Sequence, residues 1–110
     1  MPVTTMSKLE SISDDRIGRL LSAEGLHVVL MSSPWDGNGI IMRNIVEGLT
    51  GQFHGVRFYA ADYEASPRLA RLFNLLSPPG LLFIRDGELI ERVTRPMSAG
   101  SVRALLHSMA

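Results

Sequence analysis

The chain contains no cysteine. That excludes disulfides, thiolate nucleophiles and thiolate metal sites in one step. Lysine is nearly missing as well, with Lys8 alone among the 11 basic side chains, and 11 acidic ones balance these to a formal charge of zero. Without a basic excess there is no electrostatic footprint for nucleic acid or an anionic membrane, and neither is expected as a partner. Long apolar runs are missing too: residues 28–31 and 80–84 are far too short to span a bilayer. Residues 1–10 lack the charged-then-apolar layout of a secretion signal, so a cytoplasmic location is the default expectation. His27, His54 and His107 are far apart, fit no metal-ligand spacing and read as ordinary surface or strand-end residues. No metal and no cofactor are expected.

What is present suits one soluble globular domain spanning residues 1–110, 45% hydrophobic and 20% charged. After an extended start at 3–5, Ser13 reads as a helix cap with Asp14 and Asp15 in the first turn. Ile17, Leu20 and Leu21 form that helix's apolar stripe, and Gly25 suits its end. Residues 26–32 are apolar almost throughout, the pattern of an interior strand covered on both faces. The turn signal at 33–39 leads into a helix over about 40–49, with Ile41, Ile45 and Leu49 as its stripe and Gly51 just past it. Residues 56–61 read as a second interior strand. Ser66-Pro67 opens a short helix with Leu69, Leu72 and Phe73 inside. Strands at 81–85 and 88–93 flank the hairpin signal Asp86-Gly87, and Ser98 caps a last helix with the stripe Val102, Leu105, Leu106 and Met109. The order (β)-α-β-α-β-α-β-β-α implies right-handed parallel crossovers and an antiparallel edge, hence a mixed sheet between helices.

Two segments carry a family resemblance. In the first, residues 28–39, the strand runs into Ser33-Pro34-Trp35-Asp36-Gly37-Asn38-Gly39. In the second, Leu76-Ser77-Pro78-Pro79-Gly80-Leu81-Leu82-Phe83-Ile84 is followed by Arg85-Asp86-Gly87-Glu88. With the β-α-β-α spacing between them, and a weaker match over 98–106, they resemble thioredoxin over residues 26–108. The resemblance implies an α/β fold, a thioredoxin-like three-layer α/β/α sandwich with a mixed central sheet. In the family the turn reads Trp-Cys-Gly-Pro-Cys. Trp35 and Gly37 match it, Asp36 stands at the nucleophilic cysteine, Asn38 at the proline and Gly39 at the resolving cysteine. Leu30 stands where the family keeps a buried Asp that assists proton transfer. Pro79 matches the family's cis-proline, and Gly80 departs from its threonine.

Dithiol exchange needs a low-pKa thiolate at a helix amino terminus and a second thiol. Both are missing, which excludes disulfide oxidoreductase activity. Asp36 has two readings: a substitute acid, base or ligand, or the cap of the helix that follows. The absence of a second carboxylate, histidine or lysine near it in sequence favours the cap. The glycines of 37–39 suggest an anion cradle, against which Asp36 itself argues. Arg68 and Arg71 read as a solvated helix face.

The resemblance further implies a surface for an extended peptide. Its parts here are Trp35, Pro78 and Pro79, with Met97 adjacent in the loop before the last helix. Pro78 has no N–H to donate, so its carbonyl alone remains for strand-like pairing. Trp35 and Met97 equally suit semi-buried packing roles. The leading expectation is a non-catalytic adaptor or chaperone that binds another protein. Residues 27–33 and 59–64 are also similar to the cysteine-less thioredoxin-like chaperones of hydrogenase maturation, which attend a partner subunit and its export signal. The alternatives are a glutathione-binding or transferase-type enzyme working through Ser32, Ser33 or Asp36, and a structural subunit or homodimer that buries the same face.

Overall fold

The computed structural model describes residues 9–109, so the extended start expected at 3–5 lies outside them. In chain order the elements are β1 (Glu10–Ser11), α1 (Ile17–Ser22, entered through a 3-10 turn at Asp14–Arg16), β2 (Leu26–Ser32) and α2 (Gly37–Leu49). A second 3-10 turn at Thr50–Gln52 leads to β3 (Arg57–Asp62), α3 (Pro67–Leu72), β4 (Gly80–Arg85), β5 (Glu88–Val93) and α4 (Ala99–Met109). The sheet order is β1-β3-β2-β4-β5, parallel across β1, β3 and β2 and antiparallel from β2 through β4 to β5. The most apolar segment, β2, sits at its centre.

Side chains alternate across a strand, so each strand feeds two cores. Val28 and Leu30 join Leu81 and Phe83 on the face covered by Met42, Val46 and Leu49 of α2 and by Val102 and Leu106 of α4. Val29 and Met31 join Leu82 and Ile84 on the face covered by Leu20 of α1 and by Leu69 and Ala70 of α3. The result is the three-layer α/β/α sandwich expected. Among the described residues no helix is long and apolar enough to cross a membrane.

Several local expectations are corrected. α2 starts at Gly37, three residues before the start expected at about 40, because the Asp36 side chain caps it. Its inner stripe is Gly39, Met42, Val46 and Leu49, while Ile41 is half exposed. Of the 41-45-49 repeat, Leu49 is buried and Ile45 packs partly against the core, so Ile41 is the member turned off the sheet. In α3 the buried residues are Leu69 and Ala70, with Phe73 just beyond, and Leu72 faces outward. Leu21 likewise turns outward from α1. Ser13 bonds Asp15 through its side chain and makes no side-chain capping bond to its helix.

Nor does the Ser66 side chain cap α3. The Asp14 carboxylate does so from across the chain, accepting from Arg68 N at 3.0 Å and Leu69 N at 2.8 Å. His27 does stand near the end of a strand, as the second residue of β2, but it is not a surface residue: it is 3% exposed, between the Tyr59 hydroxyl and the Glu24 carbonyl. The hairpin at Asp86-Gly87 has φ of 50° and 85°, the left-handed pair of a type I′ turn. A Cβ at position 87 would also run into the Leu21 carbonyl oxygen. At α4 the Ser98 hydroxyl accepts from Ser101 N at 3.1 Å, the cap its position implies.

Candidate functional site

β2 delivers the chain to the turn at 33–39 and then into α2. Ser33 is buried, donates its hydroxyl to Glu64 Oε1 at 3.3 Å, and accepts from Asp36 N at 3.1 Å through its carbonyl. Those bonds close the turn and push Pro34 and Trp35 outward. Trp35 is 75% exposed, which rules out the semi-buried packing role. Its indole has no structural task that its exposure would reveal.

Asp36 occupies the N-cap. Its Oδ1 accepts from Asn38 N at 3.0 Å and its carbonyl accepts from Ile40 N at 3.2 Å. Its Oδ2 is closed off from solvent and has no hydrogen-bond partner. One oxygen thus holds the helix and the other is turned away from solvent, the arrangement of a capping carboxylate. A carboxylate at this end also suits the partial positive charge of the helix amino terminus. Gly37 and Asn38 are exposed, whereas Gly39 is buried against β2. A Cβ at Gly39 would stand 2.7 Å from Ser32 Cβ, closer than such atoms approach. Position 39 is therefore closed to any side chain unless β2 shifts.

The proline segment reaches the same end of the sheet, because Gly80 of β4 pairs with Met31 of antiparallel β2. The Pro78–Pro79 peptide bond is cis. Pro79 is buried and Pro78 half-buried. Beneath them Leu75 packs so closely on Gly80 that a Cβ there would collide with both Leu75 methyl groups. Leu76, next in the chain, is thrown outward and is 84% exposed. The β3–α3 loop ties the two segments together. Tyr63 N donates to Ser32 O at 3.0 Å, and the Tyr63 hydroxyl donates to Leu76 O at 2.8 Å.

Met97 takes a different place. It is half-buried and packed against the core between α2 and α4, lining the same small gap as Met42, Ile45 and Val102. Its packing reading is the one its surroundings support. Beside the turn, a cleft of about 390 Å³ runs between α2 and the end of β3 and is lined in part by Ser32, Ser33, Arg43 and Asp62. No histidine lines this cleft: Ser33 donates its hydroxyl to Glu64, and His27 stands near the opposite end of β2.

Leu76 and Tyr63 are the residues that the sequence patterns passed over. The available signal was two adjacent leucines before a double proline, of which only one can be buried. The sequence matches no family model. It is similar to the thioredoxin of Chlamydia muridarum (strain MoPn / Nigg), 33% identical over 70 residues, covering 64% of this chain and 69% of that protein. It is also similar to the thioredoxin of Chlamydia trachomatis serovar D, 29% identical over 70 residues with the same coverage. The sheet order, the tryptophan-bearing turn before α2, the cis-proline before β4 and this similarity agree: the chain belongs to the thioredoxin family.

Proposed function

We propose that this thioredoxin-family chain is a non-catalytic adaptor or chaperone that binds an extended segment of another protein. The site is the end of the sheet where Trp35, Leu76 and the half-buried Pro78 meet solvent, with Pro79 buried beneath them. The observation that carries the reading is the exposed pair Trp35 and Leu76, 75% and 84% accessible on the two segments that converge there. Apolar side chains this exposed contribute little to folding and much to burial against a partner. The Pro78 carbonyl supplies one strand-like acceptor between them. Dithiol exchange is not open to a chain without sulfhydryls. The narrower reading is a partner subunit under maturation, or its twin-arginine export signal. It rests on the likeness of residues 27–33 and 59–64 to the hydrogenase-maturation chaperones.

Trp35 is the sole tryptophan, so its fluorescence reports the site directly. Titration with extended apolar peptides, twin-arginine signal peptides among them, should shift the emission to the blue and saturate. Leu76→Asp should remove that response without altering the fold. A flat response to every peptide, with saturation by glutathione instead, would discard the adaptor reading in favour of a thiol-binding site.

A further inference from the structure

A second cleft, of about 290 Å³, lies at the opposite end of the sheet from the turn, where β2 and β3 begin. Three arginines line it from three separate elements: Arg16 in the turn before α1, Arg19 on α1 and Arg57 at the start of β3. Glu10 and Glu24 are the acidic residues of its lining. Arg16 holds Glu10 at 3.0 Å, and this is the one ion pair among the described residues. Arg19 and Arg57 are left with only Glu24 nearby to oppose two guanidiniums. In a chain of zero net charge, this cleft therefore carries a local positive excess.

The floor is polar and fixed. His27 is 3% exposed within a strand whose other members are otherwise apolar up to Ser32. The Glu24 carbonyl can only accept, so His27 Nε2 carries the proton and donates to it at 3.0 Å. In the neutral ring Nδ1 is then an acceptor and takes the Tyr59 hydroxyl at 3.3 Å, with the two rings stacked at 5.8 Å. Burying an imidazole in a central strand is costly without such bonds. A valine there would fill the strand without needing any partner. Guanidinium forks match the planar or tetrahedral oxygens of carboxylates and phosphates, and they bind these more specifically than ammonium groups do. The cleft's volume suits a small molecule rather than a polypeptide.

We propose that this cleft binds a small soluble oxyanion, a phosphate or carboxylate group held by Arg19 and Arg57, with the His27–Tyr59 pair as its floor. Arg16 joins when the ligand displaces Glu10. The site is independent of the peptide surface and does not rest on it.

The test is an amide NMR titration of the full chain with inorganic phosphate and, in a second arm, with succinate. Saturable shifts are expected at positions 16, 19, 27, 57 and 59 in at least one arm. The arm that saturates at lower concentration names the oxyanion. Arg19→Gln and Arg57→Gln should each weaken that binding about tenfold, the loss of one charge-assisted contact. Both side chains are exposed, so the thermal midpoint should stay put, and Arg95→Gln serves as a control outside the cleft. Shifts that fail to saturate in both arms, shifts spread evenly over all arginines, or unchanged affinity in the Arg19→Gln/Arg57→Gln double variant would each overturn the proposal.

Discussion

The turn at 33–39 and the proline segment at 75–80 share one end of the sheet, yet they are held in opposite ways. Most of the turn is rim: Pro34, Trp35, Gly37 and Asn38 are exposed, and only Ser33 and Gly39 are buried. Half of the proline segment is floor: Leu75, Pro79 and Gly80 are buried, Pro78 is half-buried, and Leu76 and Ser77 are exposed. A residue in the floor is constrained by every neighbour it touches. A rim residue is constrained by what it binds. The sulfur chemistry of the family belongs to the turn, where Asp36 has replaced it with a capping bond. The packing that supports Pro79 has no such freedom.

The most severe way to test this contrast is Leu30→Asp. It restores the family's carboxylate at a position that is 0% exposed, beneath a turn with no thiol to serve. An unpaired carboxyl in that core should cost about 3–5 kcal/mol, read as a fall in the denaturation midpoint. A near-neutral result would mean that water reaches the floor.

Next comes Gly80→Ala, which forces Leu75 out of its place in a core where it is 3% exposed. A loss of about 2–3 kcal/mol is expected from overpacking, measured by the same denaturation. Gly39→Ala probes the one tight contact of the turn and should cost about 1–2 kcal/mol. Removing the opposing carbon with Ser32→Gly should recover part of that loss, and strict additivity in the double-mutant cycle would show that the two positions do not touch.

Trp35→Ala closes the series. Its thermal midpoint should shift by less than the equivalent of about 0.5 kcal/mol, as for other exposed positions. A large destabilisation would make the indole a packing residue and erase the distinction between rim and floor.

Much of the fold was legible because its signals are local. The apolar run of β2, the Asp86-Gly87 turn and the Ser98 cap each depend on residues a few positions apart, and all three stand where the patterns placed them. The phases of α2 and α3 were not legible. Apolar residues are frequent on both sides of these helices, and only the sheet beneath selects Met42 and Val46 over Ile41, or Ala70 over Leu72. In the candidate site, Trp35, Asp36 and Pro79 were visible as positions. The exposure of Leu76 and the Tyr63 bridge were not, since both follow from how the β3–α3 loop folds onto the proline segment.

By itself the sequence decides that this chain is unable to perform dithiol exchange, because no arrangement in space supplies a missing thiol. It also decides where the longer strands, the turns and the Asp36 and Ser98 caps lie, since these arise between near neighbours. Only the tertiary structure decides which side chains are left over. It sends Asp14 to cap a helix 54 residues away, seals one oxygen of Asp36, exposes Trp35 and Leu76, and gathers three arginines around a buried histidine. Each outcome joins segments far apart in the chain, and such pairings exist only once the layers have packed.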